Sequence, residues 1–137
     1  MEGLKEKRII VVQVLRTLHD SIELFNESAQ ESRLWWSLSD SLIQRFEYTI
    51  DTFWKYLKLY LEKMGMVQEV LGSPRGVLRA AFEVSCIMRD EYEMLLEAVQ
   101  DRNVTSHTYN HELARDIVSR IPAYYAVIDA IVERLKI

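Results

Sequence analysis

Apolar residues recur at steps of three and four along most of this chain, the spacing that collects side chains on one face of an α-helix. From Leu4 to about Asn26, the positions Leu4, Ile10 or Val11, Val14, Leu18, Ile22 and Phe25 keep that register, with Lys5, Lys7 and Arg8 on the other side. The polar run Asn26 to Ser32 closes this first helix. A longer one follows, in which Trp35, Leu38, Leu42, Phe46, Ile50, Phe53, Leu57, Leu61 and Met64 hold the spacing for about eight turns. Gly65 then stands where a helix leaves through a left-handed residue. Ser73-Pro74 is a start signal, a hydroxyl N-cap followed by a first-turn proline. The apolar face Val77, Leu78, Ala81, Phe82, Ser85 and Cys86 predicts a short helix over Ser73 to Met88. A fourth begins near Asp90 or Glu91, carries Tyr92, Leu95, Leu96 and Val99, and ends at Arg102. Asn110 is placed to cap a last helix holding Leu113, Ile117, Ile121, Tyr124, Tyr125, Ile128, Ile131 and Leu135, which Pro122 should kink or restart. No segment alternates with period two, and no repeat or linker interrupts the pattern. The expected architecture is all-α, an antiparallel helical bundle of about five helices forming a single domain over residues 1–137.

Composition agrees with that reading. Four Gly and two Pro in 137 residues leave few breakers for a many-turned β fold, and 49% hydrophobic with 28% charged residues is globular, not disordered. A net charge of −4 argues against a constitutive binder of duplex DNA, whose affinity comes mostly from a basic face. The one cysteine, Cys86, cannot form an internal disulfide, which points to a reducing, cytoplasmic setting. Only Ile9 to Val12 is unbroken and apolar near the N-terminus, too short for a signal segment, and no run approaches a membrane span.

The helical pattern gives way at Asp101 to Glu112, DRNVTSHTYNHE. Here Arg102, His107 and Tyr109 lie among the short polar residues Asn103, Thr105, Ser106 and Thr108. A turn that serves only folding usually uses Gly, Pro or Asp. Arginine stays charged and presents a fork that fits phosphate. Histidine titrates near neutrality and can move a proton. Together they form a minimal apparatus for cutting RNA without metal, in which the ribose 2′-hydroxyl attacks, His107 handles a proton and Arg102 offsets charge on the phosphate. Two-fold pairing of the chain would bring two such turns to one groove, supplying both acid and base. The spacing alone does not carry this claim, since most Arg-x4-His pairs in helical proteins are surface or helix-end residues.

The segment DRNVTSHTYN, with QRFEYTIDTFWKYLKLYLEKMG from Gln44 to Gly65 and SPR from Ser73 to Arg75, resembles the HEPN superfamily, and within it the HepT branch once labelled nucleotidyltransferase substrate-binding proteins. The resemblance covers the chain from about Leu4 to Leu135, and its Arg-x4-His-x-Tyr signature is matched by Arg102, His107 and Tyr109. It implies an all-helical, usually dimeric protein, the toxin half of a toxin–antitoxin couple with a small MNT-type nucleotidyltransferase. It implies that Arg102 and His107 are the RNase residues. It makes Tyr109 the acceptor of adenylyl groups by which the partner silences the toxin, and has Asn103 shape the site. Acidic residues of the second helix often face the pocket in such folds, which makes Glu47 and Asp51 candidates. Their i, i+4 spacing, continued by Lys55, equally describes a solvated strip. His111, where an acidic residue is expected, and Tyr92, where a tryptophan is frequent, depart from the family pattern.

Other constellations carry less. His107 and His111 share a helical spacing, but no third His or Cys accompanies them, so no metal is expected. His19 reads as structural. Trp35, Trp36 and Trp54 could stack bases, but aromatics at helical spacing are usually core or interface. No glycine loop is available to cradle a phosphate, so no nucleotide cofactor is expected. Two functions remain in view: a metal-independent endoribonuclease toxin acting on RNA, and a non-enzymatic subunit that binds a nucleotidyltransferase and a nucleotide substrate.

Overall fold

A computed structural model of the chain describes residues 2–28, 32–66, 71–107 and 110–135, with Glu2, Ser106 and His107 described by backbone alone. Five helices account for nearly all of them: α1 (Glu2–Glu27), α2 (Arg33–Lys63), α3 (Pro74–Glu83), α4 (Arg89–His107) and α5 (His111–Arg134). The sequence signals that delimit them act as expected. Ser73 and Asn110 cap α3 and α5, and Ser32, read from the sequence only as the end of a polar run, caps α2, each side chain accepting the backbone N–H three residues on. At the end of α2, Gly65 takes φ +95°, and the Gly65 and Met66 amides bond back to the carbonyls of Glu62 and Leu61. This is the paired closure that a left-handed residue allows.

Two expected boundaries move. The third helix ends at Glu83, not Met88. Ser85 adopts φ 63°, and the amides of Ser85 and Cys86 return to the carbonyls of Phe82 and Ala81. The same closure is therefore made here without glycine, which is why no breaker marked it. Secondly, α4 does not stop at Arg102 but runs on to His107. Asn103 to Ser106 lack a side chain that must break a helix, so polarity there does not mean turn. The last helix, for its part, continues through Pro122 without restarting.

α1 and α2 form a long hairpin, and α4 and α5 complete an up-down-up-down bundle, with α3 a short link beside α2 and α4. Side-chain partners fix the directions. Arg8 meets Glu133 while His19 meets Tyr125, so α1 and α5 are antiparallel. Glu91 meets Arg134 while Asp101 meets Arg120, so α4 and α5 are antiparallel too. The core runs through the bundle from Leu4, Val11, Leu18, Leu42, Phe46, Phe53, Leu57 and Leu61 to Ile117, Ile121, Ile128 and Ile131, all essentially buried. Of the Ile10 and Val11 alternatives, Val11 is inside and Ile10 is exposed. No described helix is long and apolar enough to cross a membrane.

Candidate functional site

The site lies on the seam between α2 and α4, where the last two turns of α4 pass the middle of α2. Arg102 projects from α4 onto α2. Its Nε and Nη2 donate to the two oxygens of Asp51 at 3.1 and 2.9 Å, and Nη1 donates to Glu47 Oε2 at 3.4 Å. Three of the five guanidinium donors are thereby directed at α2. The hydrogen bonds from Arg102 to Asp51, followed by the charges of Asp51 and Glu47, outweigh partial burial and hold the guanidinium above its usual range, so it is permanently cationic. One turn on, the Thr105 hydroxyl reaches both Glu47 Oε2 and the Arg102 carbonyl, and its single proton serves one of them at a time. Asn103 is exposed.

The Glu47–Asp51–Lys55 strip is thus not a uniform solvated face. Glu47 and Asp51, one turn apart, make an acidic seat for Arg102, while Lys55 is exposed beyond it. The arginine side chain retains a quarter of its exposure. The cation is held in place rather than buried.

Extension of α4 alters the expected relation of Arg102 to His107. Both lie on one helix, five residues apart, which separates them by about 7.5 Å along the axis and roughly 140° around it. The side chains of His107 and Ser106, and the whole of Tyr109, lie outside the described residues. Among the described residues no group of three or more His, Cys, Asp or Glu gathers to hold a metal.

Two neighbouring clusters were not anticipated in the sequence. On the α5 side of α4, the carboxylate of Asp101 is 9% exposed and accepts both Nε and Nη2 of Arg120, at 2.9 and 3.0 Å. It also lies 2.6 Å from the Tyr124 hydroxyl, which is 2.9 Å from Glu97 as well. Burial first, then those hydrogen bonds to Asp101 and Glu97, push the Tyr124 phenol far above its usual range. Tyr124 reads from sequence as packing alone, because spacing reports a buried ring and not what its hydroxyl meets. At the first turn of α5, His111 stacks on Trp36 with ring centres 4.1 Å apart, and Arg115 lies over the same indole at 5.8 Å. Elsewhere Arg75 of the Ser-Pro-Arg segment donates to Gln100 at 2.8 Å, tying α3 to α4. His19 lines a cleft of about 290 Å³ between α1 and α5, together with Arg8, Arg16, Tyr125 and Asp129.

Fold and site together define a small helical bundle that presents a carboxylate-seated arginine on the seam between two of its helices. The model of a family described as nucleotidyltransferase substrate binding protein like matches residues 13–137, and the chain belongs to that family, one of HEPN-like fold. A crystal structure of a Thermus thermophilus protein is similar to it at 37% sequence identity and a TM-score of 0.77, over 93% of this chain and 99% of that one. No curated protein matches the chain.

Proposed function

We propose that the chain is a HepT-like toxin, a metal-independent endoribonuclease in which Arg102 stabilises the phosphate and His107 transfers a proton. The observation that carries this reading is the seating of Arg102 by Asp51 and Glu47 on the helix that ends in His107. A guanidinium fixed in direction by two carboxylates yet still partly exposed, on the helix that carries His107, supports a cation positioned to meet a phosphate. In the reaction the 2′-hydroxyl attacks the adjacent phosphorus as a base removes its proton. The 5′-oxygen of the next nucleotide leaves and takes a proton from an acid, giving a 2′,3′-cyclic phosphate and a 5′-hydroxyl end. Arg102 offsets the charge that gathers on the equatorial oxygens. A phosphate reaching the guanidinium competes with Glu47, whose contact is the longest of the three, and Thr105 remains to receive the displaced carboxylate. Across a two-fold axis, Arg102 of one copy works beside His107 of the other, that imidazole taking the 2′-hydroxyl proton and returning it to the leaving 5′-oxygen.

Cleavage of an unstructured RNA in EDTA tests the reading. Wild-type protein should produce cyclic-phosphate ends, and Arg102→Ala and His107→Ala should each lose about 10²- to 10⁴-fold in rate with unchanged circular dichroism. Full activity in either variant rejects the assignment. Silencing would follow from transfer of an adenylyl group to the Tyr109 phenol. That oxygen attacks the α-phosphorus of ATP bound to the partner nucleotidyltransferase, and pyrophosphate leaves. Intact mass after co-expression should show whole adenylyl increments that disappear in Tyr109→Phe.

A second reading is favoured by the family description itself, a subunit that binds on behalf of a nucleotidyltransferase. It expects a stable complex with such an enzyme and no cleavage by the isolated chain.

A further inference from the structure

We infer that the seam between α1 and α2 is a docking strip for single-stranded RNA, with Lys7, Arg45 and Lys55 meeting phosphates and Tyr48 stacking on a base. The choice of ligand rests on the nuclease reading, and the location rests on residues outside the catalytic pair. Two clefts open along this seam and meet at Tyr48, which lines both. One, of about 480 Å³, lies between Gln13 and Thr17 of α1 and Ser41, Gln44 and Arg45 of α2. The other, of about 310 Å³, lies between Lys7 and Ile10 of α1 and Asp51, Thr52 and Lys55 of α2. From Ser41 to Lys55 the strip follows α2 for about 21 Å, several phosphate spacings of a single strand.

The strip suits a phosphate chain although the molecule carries a net charge of −4. Among the described residues that line the larger cleft there is one cation, Arg45, and no carboxylate. In the smaller cleft the one acid is Asp51, and both of its oxygens accept from Arg102, so its charge is already offset. Lys7, Arg45 and Lys55 enter no ion pair among the described residues, unlike Arg8, which meets Glu133. Their charges therefore face the seam unopposed. Tyr48 is 60% exposed and is the one exposed Phe, Tyr or Trp among the described residues. Stacking on a base would cover that ring whatever the base, and it supplies affinity that does not depend on charge. Position ties the strip to the proposed chemistry. Tyr48 and Lys55 lie within one turn of Asp51, no more than about 6 Å along α2, and Asp51 is the residue that grips Arg102. A strand held on the seam therefore reaches the guanidinium by crossing the width of α2.

The test uses the full-length chain and a fluorescein-labelled, 2′-O-methylated RNA of about 12 nucleotides, which lacks the attacking hydroxyl and cannot be cut. Fluorescence anisotropy should show binding that weakens about tenfold in Tyr48→Ala, with an unchanged salt slope, and stays near wild type in Tyr48→Phe. The Lys7→Ala/Arg45→Ala/Lys55→Ala variant should also bind more weakly, and its slope of log affinity against log salt should be shallower by about 2, the share of three phosphates on a single strand. No binding by the wild type, equal affinity in Tyr48→Ala, failure of phenylalanine to substitute, or an unchanged slope in the triple variant would each overturn the strip. Size-exclusion chromatography accompanies the titrations, and a changed oligomeric state in Tyr48→Ala would assign the ring to a contact between copies and overturn the strip as well. Cleavage of unmodified RNA is read separately. A chain that binds through Tyr48 and the three cations without cutting leaves the strip standing and removes the nuclease. A chain that cuts while its affinity ignores all four residues does the reverse.

Discussion

Arg102 is where sequence pattern and geometry meet most directly, and its two carboxylate partners differ in what they contribute. Asp51 grips two nitrogens in the fork arrangement that fixes a guanidinium in plane and direction, whereas Glu47 touches a third at longer range and leans on Thr105. Asp51→Ala should therefore misplace the cation more than Glu47→Ala does. Because Asp51 keeps 42% of its side-chain exposure, the lost pair should lower stability by only about 1 kcal/mol. RNA cleavage should fall by about tenfold or more in the same variant, measured at a temperature where both proteins are folded. An activity loss no larger than the stability loss explains would show that the seat is merely structural. At this scale sequence was half sufficient. The types Arg, Glu and Asp were readable as candidates, but i, i+4 acids on an amphipathic helix look the same whether they face water or a cation. Only the approach of α4 distinguishes the two.

Elements are held in register by ion pairs that flank the site along α4. At its first turn Glu91 binds Arg134 of α5 through both carboxylate oxygens. Burial alone would raise the Glu91 pKa, but the bonds from Arg134 and the Met88 amide, with the arginine charge, bring it below the usual carboxylate range. A carboxylate depressed in the folded state contributes stability above its unfolded pKa and loses it as pH falls through the folded one. Thermal stability should accordingly drop below about pH 4.5, and Glu91→Gln should flatten that acid limb while lowering stability at neutral pH. At mid-helix, Arg120→Met strands the buried Asp101 carboxylate with the Tyr124 hydroxyl as its remaining donor among the bonds described. The expected loss is about 2 kcal/mol by denaturant titration, less than for a fully enclosed pair because Arg120 is 37% exposed. Ser85 offers the opposite sign. Its left-handed φ of 63° strains a side chain that glycine lacks, so Ser85→Gly should gain about 0.5–1 kcal/mol. These elements also show where sequence reading was strong. Caps at Ser73 and Asn110 and the exit at Gly65 are local chemistry and need no tertiary knowledge. The exit at Ser85 and the continuation of α4 past Arg102 were not legible, because a serine can take a glycine position and polar residues can remain helical when the seam needs them.

For the whole molecule, the five-helix bundle was legible in the three-and-four spacing, but the relation between Arg102 and His107 was not. Read as a turn, the segment lets both residues converge within one chain. Read as the last turns of α4, it sets them on faces about 140° apart. A composite site between two copies resolves this, with Arg102 of one chain working beside the partner's His107, and isologous pairing then creates two such sites. Mixing inactive variants distinguishes the arrangements. If Arg102→Ala and His107→Ala chains are combined in equal amounts and allowed to exchange, about half of the dimers are mixed, and a shared site regenerates one working centre in each. Cleavage should return to about a quarter of the wild-type rate. Sites confined to single chains would regenerate none, and the mixture would stay as inactive as its parts. The reciprocal mixture, wild type with the Arg102→Ala/His107→Ala double variant, reverses the expectation. Shared sites lose both centres in every mixed dimer, so the double variant poisons the wild type, whereas self-contained sites keep one. Recovery in the first mixture together with poisoning in the second is the pattern that a paired ribonuclease with α4 helical to His107 should give.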